Sequence, residues 1–322
     1  MSELNYVLRF VARNPWAILP EKLDEILALL QLHEAGVRFT AEEIHARIGD
    51  PPRRQTLVSG RTGIIPVYGT IVPRAGMMTD LSGAVAAEQL AREVRAFAAD
   101  PGVDRVVLDI NSPGGNVVGL PELAAEIRAA RDVKPIVAVA NSMAASAAYW
   151  LAAQASEIAV TPSGAVGSIG VFAMHEDVSR AVEGQGRRVT MISAGKYKTE
   201  GNPFEPLSDE ARASIQEDVN TVYGRFVADV ARGRGVSEDL VRAGFGEGRM
   251  VQAERALEQR MVDRIETFDQ VMARLTAAAS AAAGNRFAAA AGAAVASTRD
   301  GAGQAPANVA ATLRLIELDT SK

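Results

Sequence analysis

Three short stretches of this 322-residue chain hold groups suited to chemistry on an acyl carbon. The first is Ala138-Val-Ala-Asn-Ser-Met-Ala-Ala-Ser-Ala-Ala-Tyr-Trp150, with Ser146 inside it. The apolar run Pro135–Ala140 reads as a buried parallel strand, and the Ala-rich segment after it as a helix. A hydroxyl at such a junction lies close to free backbone N–H groups and to the positive end of a helix dipole. That suits a nucleophile that must become an alkoxide and leave an oxyanion. The same run also suits a small residue chosen for close packing, so Ser146 alone decides nothing.

The second stretch is Asn111-Ser-Pro-Gly-Gly115, at the carboxyl end of an expected strand. Adjacent glycines let a backbone approach a ligand closely. Their N–H groups can face a developing oxyanion, the largest electrostatic contribution in acyl transfer. An ordinary strand-to-helix turn reads the same way. The third stretch is Gly195-Lys-Tyr-Lys-Thr-Glu-Gly-Asn-Pro-Phe204. Loop lysines are usually solvated, but a serine nucleophile needs a base, and none of the histidines, His33, His45 and His175, falls in a suitable motif. A lysine serves when burial without a paired carboxylate lowers its pKa toward the working pH. Serine with lysine is one variant of the triad logic.

The elements that must position these groups alternate between strands and helices from about Thr62. Expected strands are Ile64–Val72, with Pro66 marking an edge or bulge, Val103–Ile110, Ile136–Ala140, Glu157–Val160, Gly170–Met174 and Arg188–Ile192. Expected helices are Ala84–Ala99, Leu120–Arg131, Ala144–Gln154 and Ser179–Glu183. A long helix capped by Ser208 follows, with Ile215, Val219, Val222, Phe226 and Val230 on one apolar face. Ala253–Leu275 holds two more short helices around Val262–Ile265. The alternation implies a mainly parallel sheet with right-handed crossovers.

Together the segments carry a family resemblance. Ser-Pro-Gly-Gly at 112–115, the Ser146 segment, Gly167-Ser-Ile-Gly-Val171 and the 195–204 loop follow the order and approximate spacing of the signal peptide peptidase A family of serine proteases. The match spans roughly Ile64–Leu275. Within the family the chain resembles the phage head maturation (prohead) proteases, through the helical arm with Asn14-Pro-Trp-Ala-Ile-Leu-Pro-Glu-Lys22 and the Ala147-Ala148-Tyr149-Trp150 that follows the serine. Many cellular members have glycines after the serine; Ala147 and Ala148 depart from that but keep the N–H donors.

The resemblance implies Ser146 as nucleophile and Lys198 as general base, with Lys196 a solvated or substrate-facing neighbour. It places an oxyanion site at the N–H groups of Gly114 or Gly115, with Ala147 as a further donor, and gives Ser168 the task of holding the lysine amine. It also implies a ClpP/crotonase-like α/β core, a parallel sheet with flanking helices, in a ring-forming homo-oligomer. Ser146 and Lys198 are then expected to meet across a protomer interface. Substrates would be phage scaffold, portal or capsid proteins, with no cofactor or metal.

Composition narrows the field. A net charge of −5 without a basic stripe gives no reason to expect nucleic-acid binding. With no cysteines there is neither thiolate chemistry nor a disulfide framework. No signal peptide and no run of about 18 apolar residues is legible, so a cytoplasmic protein without a membrane span is expected. Three regions are expected: a helical N-terminal arm at 1–60, the protease domain at 61–276 and an Ala-rich low-complexity tail at 277–322. In the arm, Leu23, Ile26, Leu27 and Leu30 mark one helix and Thr40 the cap of another. The tail holds a candidate self-cleavage run at 277–296 and an apolar patch at Leu313–Leu318. Other readings are a cellular signal-peptide-degrading peptidase, a catalytically dead assembly or scaffold protein, and a crotonase-type acyl-CoA enzyme.

Overall fold

The structure, a computed structural model, describes residues 15–34, 55–75 and 84–281, with the backbone alone at 29–34. The chain divides into two compact units, residues 1–271 and 272–322. In the second, residues 272–281 are helical. The helix expected after Thr40 and most of the Ala-rich tail, with the patch at Leu313–Leu318, lie outside the described residues.

In chain order the first unit begins with β1 (Trp16–Ile18), α1 (Pro20–Glu34), β2 (Leu57–Ser59), β3 (Thr62–Tyr68), β4 (Ile71–Val72) and β5 (Val85–Ala86). Next come α2 (Ala87–Ala99), β6 (Arg105–Ser112), β7 (Gly114–Asn116), α3 (Leu120–Val133), β8 (Ile136–Ala145) and α4 (Ala147–Ala152). Then follow β9 (Glu157–Val160), β10 (Ala165–Gly167), α5 (Ser179–Gly184), α6 (Asp209–Arg234) and α7 (Glu238–Gly244). The last are β11 (Met250–Gln252), α8 (Ala253–Glu258) and β12 (Arg264–Ile265).

The larger sheet runs β11-β10-β8-β6-β3-β2, with β9 and β12 extending it beside β8. Its centre is parallel: β3 pairs with β6, and β6 with β8. The β6 sequence Arg-Val-Val-Leu-Asp-Ile reads as continuous because nearly all of it is buried, as a parallel strand covered on both faces requires. Leu108, Ile110, Ala138, Ala140, Ile158 and Val160 join Leu90 and Val94 of α2, Leu123 and Ile127 of α3 and Phe226 and Val230 of α6 in one core. Trp150 stacks on Phe226 with ring centroids 4.5 Å apart, and its Nε1–H donates to the buried Asp229 at 3.0 Å.

Several expectations shift. The strand from Ile136 continues to Ala145, because Met143–Ala145 pair with Ala165–Gly167 and the ladder has not ended. The helix therefore starts at Ala147 and has six residues rather than beginning at Ala144. The expected strand at Gly170–Met174 is replaced by β10 upstream; of those residues Phe172 alone forms a bridge, with Trp16. Arg188–Ile192 forms no strand and is exposed: its alternating pattern meets no sheet edge among the described residues. Pro66 fits as expected, opposite Asp109 on one side and beyond Ile64, where β2 stops, on the other. On the expected apolar face of α6, Phe226 and Val230 are buried, while Ile215, Val219 and Val222 are half-buried. Around Val262–Ile265 a strand, β12, stands between α8 and a helix that begins at residue 268.

A second, smaller sheet runs β1-β7-β4-β5. It carries the glycine pair and lies against the end of β8.

Candidate active site

Ser146 stands where β8 hands over to α4, 1% exposed, at φ 52° and ψ −116°. That is the first central conformation of a type II′ turn, where glycine is the usual residue. A serine held there marks local strain of the kind that collects at functional sites. Its backbone is fixed at both ends: the N–H donates to Gly167 O at 2.7 Å, and the carbonyl accepts from Trp150 N–H at 2.9 Å. A serine at a helix N-cap normally accepts a hydrogen bond from the first turn. This one does not, and its hydroxyl turns instead to Gly170 O, a long contact at 3.4 Å.

The 167–170 loop thus wraps the serine from two sides. Ser168 lies between those contacts, nearly buried, at φ 52°, with its N–H donating to Arg249 O at 2.9 Å. Its side chain makes no hydrogen bond to the described residues. Ala147 is fully buried, and as the first helical residue its N–H has no intrahelical acceptor.

The glycine pair closes the other side. Gly114 has φ 99°, and a Cβ there would stand 2.3 Å from Ala17 O and 3.0 Å from Ser146 Cβ. A Cβ on Gly115 would stand 2.0 Å from Ile71 O. Both positions need glycine because backbones converge on them. The Gly114 N–H donates to Ser112 Oγ at 3.2 Å, and that hydroxyl donates to Gly69 O at 2.7 Å. Ser112 was not singled out in the sequence; its place beside Pro113-Gly114 was the available signal.

No hydrogen bond or ion pair among the described residues joins the lysine loop to this cluster. Lys198 is exposed, forms no side-chain hydrogen bond or ion pair with the described residues, and is not joined to Ser146. Lys196 is engaged: its ammonium donates to Tyr197 Oη at 2.7 Å and to Glu210 Oε1 at 2.9 Å. The Tyr197 bond first, and Glu210 second, hold its pKa above the ordinary lysine value. The loop is anchored by Asn202, 3% exposed, whose amide donates to Thr199 O at 2.8 Å and to Glu205 and accepts from Phe204 N–H at 2.9 Å. His175 Nε2 lies 3.1 Å from the Asn202 carbonyl oxygen.

The site therefore assembles Ser146, Gly114, Gly115, Ala147 and Ser168 in one place and leaves Lys198 on the surface. By class, it is an α/β protein with a buried serine on a strained strand-to-helix turn, faced by a glycine strand. Residues 128–282, a span that takes in Ser146, Ser168 and Lys198, match the model of peptidase family S49. It is 35% identical over 214 residues to the capsid assembly protease C of Escherichia phage lambda, covering 64% of this chain and 49% of that protein. It is 32% identical over 236 residues to the head-tail preconnector protein GP5 of Enterobacteria phage P21, covering 73% of this chain and 46% of that one. A putative signal peptide peptidase SppA of Enterococcus faecium is 31% identical over 174 residues, 54% of this chain and 50% of that protein. The chain spans about half the length of these curated relatives.

Proposed function

We propose that this protein is a serine endopeptidase that processes phage head proteins, with Ser146 as nucleophile and Lys198 as general base, on a ClpP/crotonase-like core. The observation that carries the reading is Ser146 itself: buried, held at φ 52°, relieved of capping duty and set against Gly114. The resemblance to capsid assembly protease C supports the substrate class: scaffold, portal or capsid subunits cut in extended segments.

Neutral Lys198 takes the Ser146 proton as the hydroxyl attacks a peptide carbonyl. The oxyanion forms against the N–H groups of the Gly114-Gly115 strand and Ala147, and an acyl-enzyme results. Lys198 returns the proton to the leaving amine and then activates water for deacylation. The Gly114 N–H reaches this role by exchanging Ser112 Oγ for the oxyanion.

Lys198 is exposed in one chain, so the base of each site comes from a neighbouring copy in a homo-oligomeric ring, and Ser168 receives that amine. The exposed loop carrying Met191, Ile192 and Tyr197 supports burial against a neighbour, since Ile192 is 96% exposed. Among the described residues no helix is long and apolar enough to cross a membrane. We place the protein in the host cytoplasm.

The test is intact-mass spectrometry over time of wild type and Ser146→Ala, alone and with phage scaffold and portal proteins. Wild type is expected to trim its tail or an added head protein while Ser146→Ala leaves both whole. If both preparations leave every protein whole, the assembly role without catalysis takes its place. Mixing Ser146→Ala with Lys198→Ala chains is expected to restore activity; mixed rings that stay inactive would remove the shared site.

A further inference from the structure

The edge of the glycine strand is occupied by the chain itself. β1 lies antiparallel to β7, with Trp16 opposite Asn116, Ala17 opposite Gly115 and Ile18 opposite Gly114. On its other side Trp16 exchanges two backbone hydrogen bonds with Phe172, at 2.8 and 3.0 Å. Trp16–Ile18 is therefore gripped by main-chain bonds from two segments, and Ala17 O lies against Gly114, itself in contact with Ser146. An extended peptide docks on a sheet edge in this way, with main-chain bonds for affinity and alternate side chains for selectivity.

β1 sits as a peptide would, but it is not shaped to be cut. Leu19 N–H donates to Pro113 O at 2.9 Å, the last strand-like contact. The Leu19 carbonyl then accepts from Lys22 and Leu23 N–H, at 3.0 and 3.2 Å, and Pro20 opens α1. The chain turns into a helix just past its pairing with Gly114, whereas attack requires an extended segment aligned across the nucleophile. The fit is also incomplete. Asn116, opposite Trp16, is 1% exposed, and its Nδ2 has no acceptor among the described residues.

We propose that Trp16–Ile18 is a built-in competing ligand for a peptide slot formed by Gly114–Asn116 and Phe172. Extended apolar protein segments reach Ser146 when β1 leaves it. The inference rests on the protease reading above, but slot occupancy is testable without turnover.

In full-length Ser146→Ala protein, adding Trp16→Ala is expected to tighten binding of a fluorescent peptide with the sequence of residues 13–22 by about tenfold or more, read by anisotropy, because the tethered competitor is weakened. Equal affinity in the two proteins overturns the proposal. Hydrogen exchange on wild type covers the case in which Trp16→Ala fails to fold. The amides of Trp16 and Leu19 are expected to exchange at least about tenfold faster than those of Val107 and Leu108, through local opening. Exchange of all four at one rate makes β1 permanent structure and overturns the proposal. With Ser146 present, Trp16→Ala is expected to raise fluorophosphonate labelling of the serine severalfold. Tight peptide binding with no labelling of either chain leaves the slot standing and removes the serine nucleophile.

Discussion

Ser146 donates its backbone N–H to the Gly167 carbonyl at 2.7 Å, and this bond ties the end of β8 to the end of β10 where the serine must adopt φ 52°. The ladder and the turn that holds Ser146 are therefore one unit. A non-glycine residue in such a region costs about 1–3 kcal/mol, and glycine removes that cost at about 0.5–1 kcal/mol of extra chain entropy. Ser146→Gly is thus expected to unfold at higher urea than Ser146→Ala, by about 1 kcal/mol, with both inactive. A Ser146→Ala protein as stable as Ser146→Gly would mean the turn is not strained.

Gly115 and Gly119 separate steric from conformational demand. A Cβ at 115 would meet the Ile71 carbonyl at 2.0 Å, while at Gly119 (φ 80°) nothing lies within 4 Å. Gly115→Ala is expected to destabilise the fold by about 3 kcal/mol or more, because backbone must move. Gly119→Ala is expected to cost about 1 kcal/mol, from its positive φ alone. Similar denaturation midpoints for the two variants would refute the close approach of β7 and β4.

The two loop lysines are expected to differ in kind. Lys196 is a paired ammonium with a raised pKa, held first by Tyr197 and then by Glu210, so it stays protonated where a base must be neutral. Lys196→Met should keep activity within about threefold, while Lys198→Met should lose about 10²–10⁴-fold. Equal losses from the two substitutions would remove Lys198 as base.

Asp263 sets part of the acid stability. Burial acts to raise its carboxyl, but Arg234, donating to both oxygens at 2.7 and 2.9 Å, and Ile158 N–H at 2.7 Å outweigh that and hold it below the ordinary 3.8. A depressed carboxyl contributes fully above its unfolded value and loses that contribution as pH falls through its folded one. Stability should therefore drop as pH falls below about 4, and Asp263→Asn should flatten that limb while lowering stability at pH 7. An unchanged acid limb in Asp263→Asn would show that other groups control it.

Much of the site was legible because its signals are local. Ser146 after an apolar strand, the glycine pair after the expected strand Val103–Ile110 and the Ser208 cap, which accepts from Ala211 N–H at 3.1 Å, each follow from a few adjacent residues. The extension of β8 to Ala145 was not legible, since alanines suit a strand or a helix and a partner strand decided between them. The strand at Trp16–Ile18 was missed for a related reason: three residues before a helix carry no period, and β7 and Phe172 make them a strand.

By itself, then, the sequence determined the alternating α/β order, the central core strands and the residue types gathered near Ser146, because hydrophobic period and turn chemistry act over short separations. Tertiary structure alone decided that Ser146 sits at positive φ, that Ser112 holds the Gly114 N–H, and that β1 fills the edge of the glycine strand beside Ser146. Each of these is a bond or a contact between segments far apart in the chain, whose energy exists when the backbones meet and leaves no periodic trace in either segment.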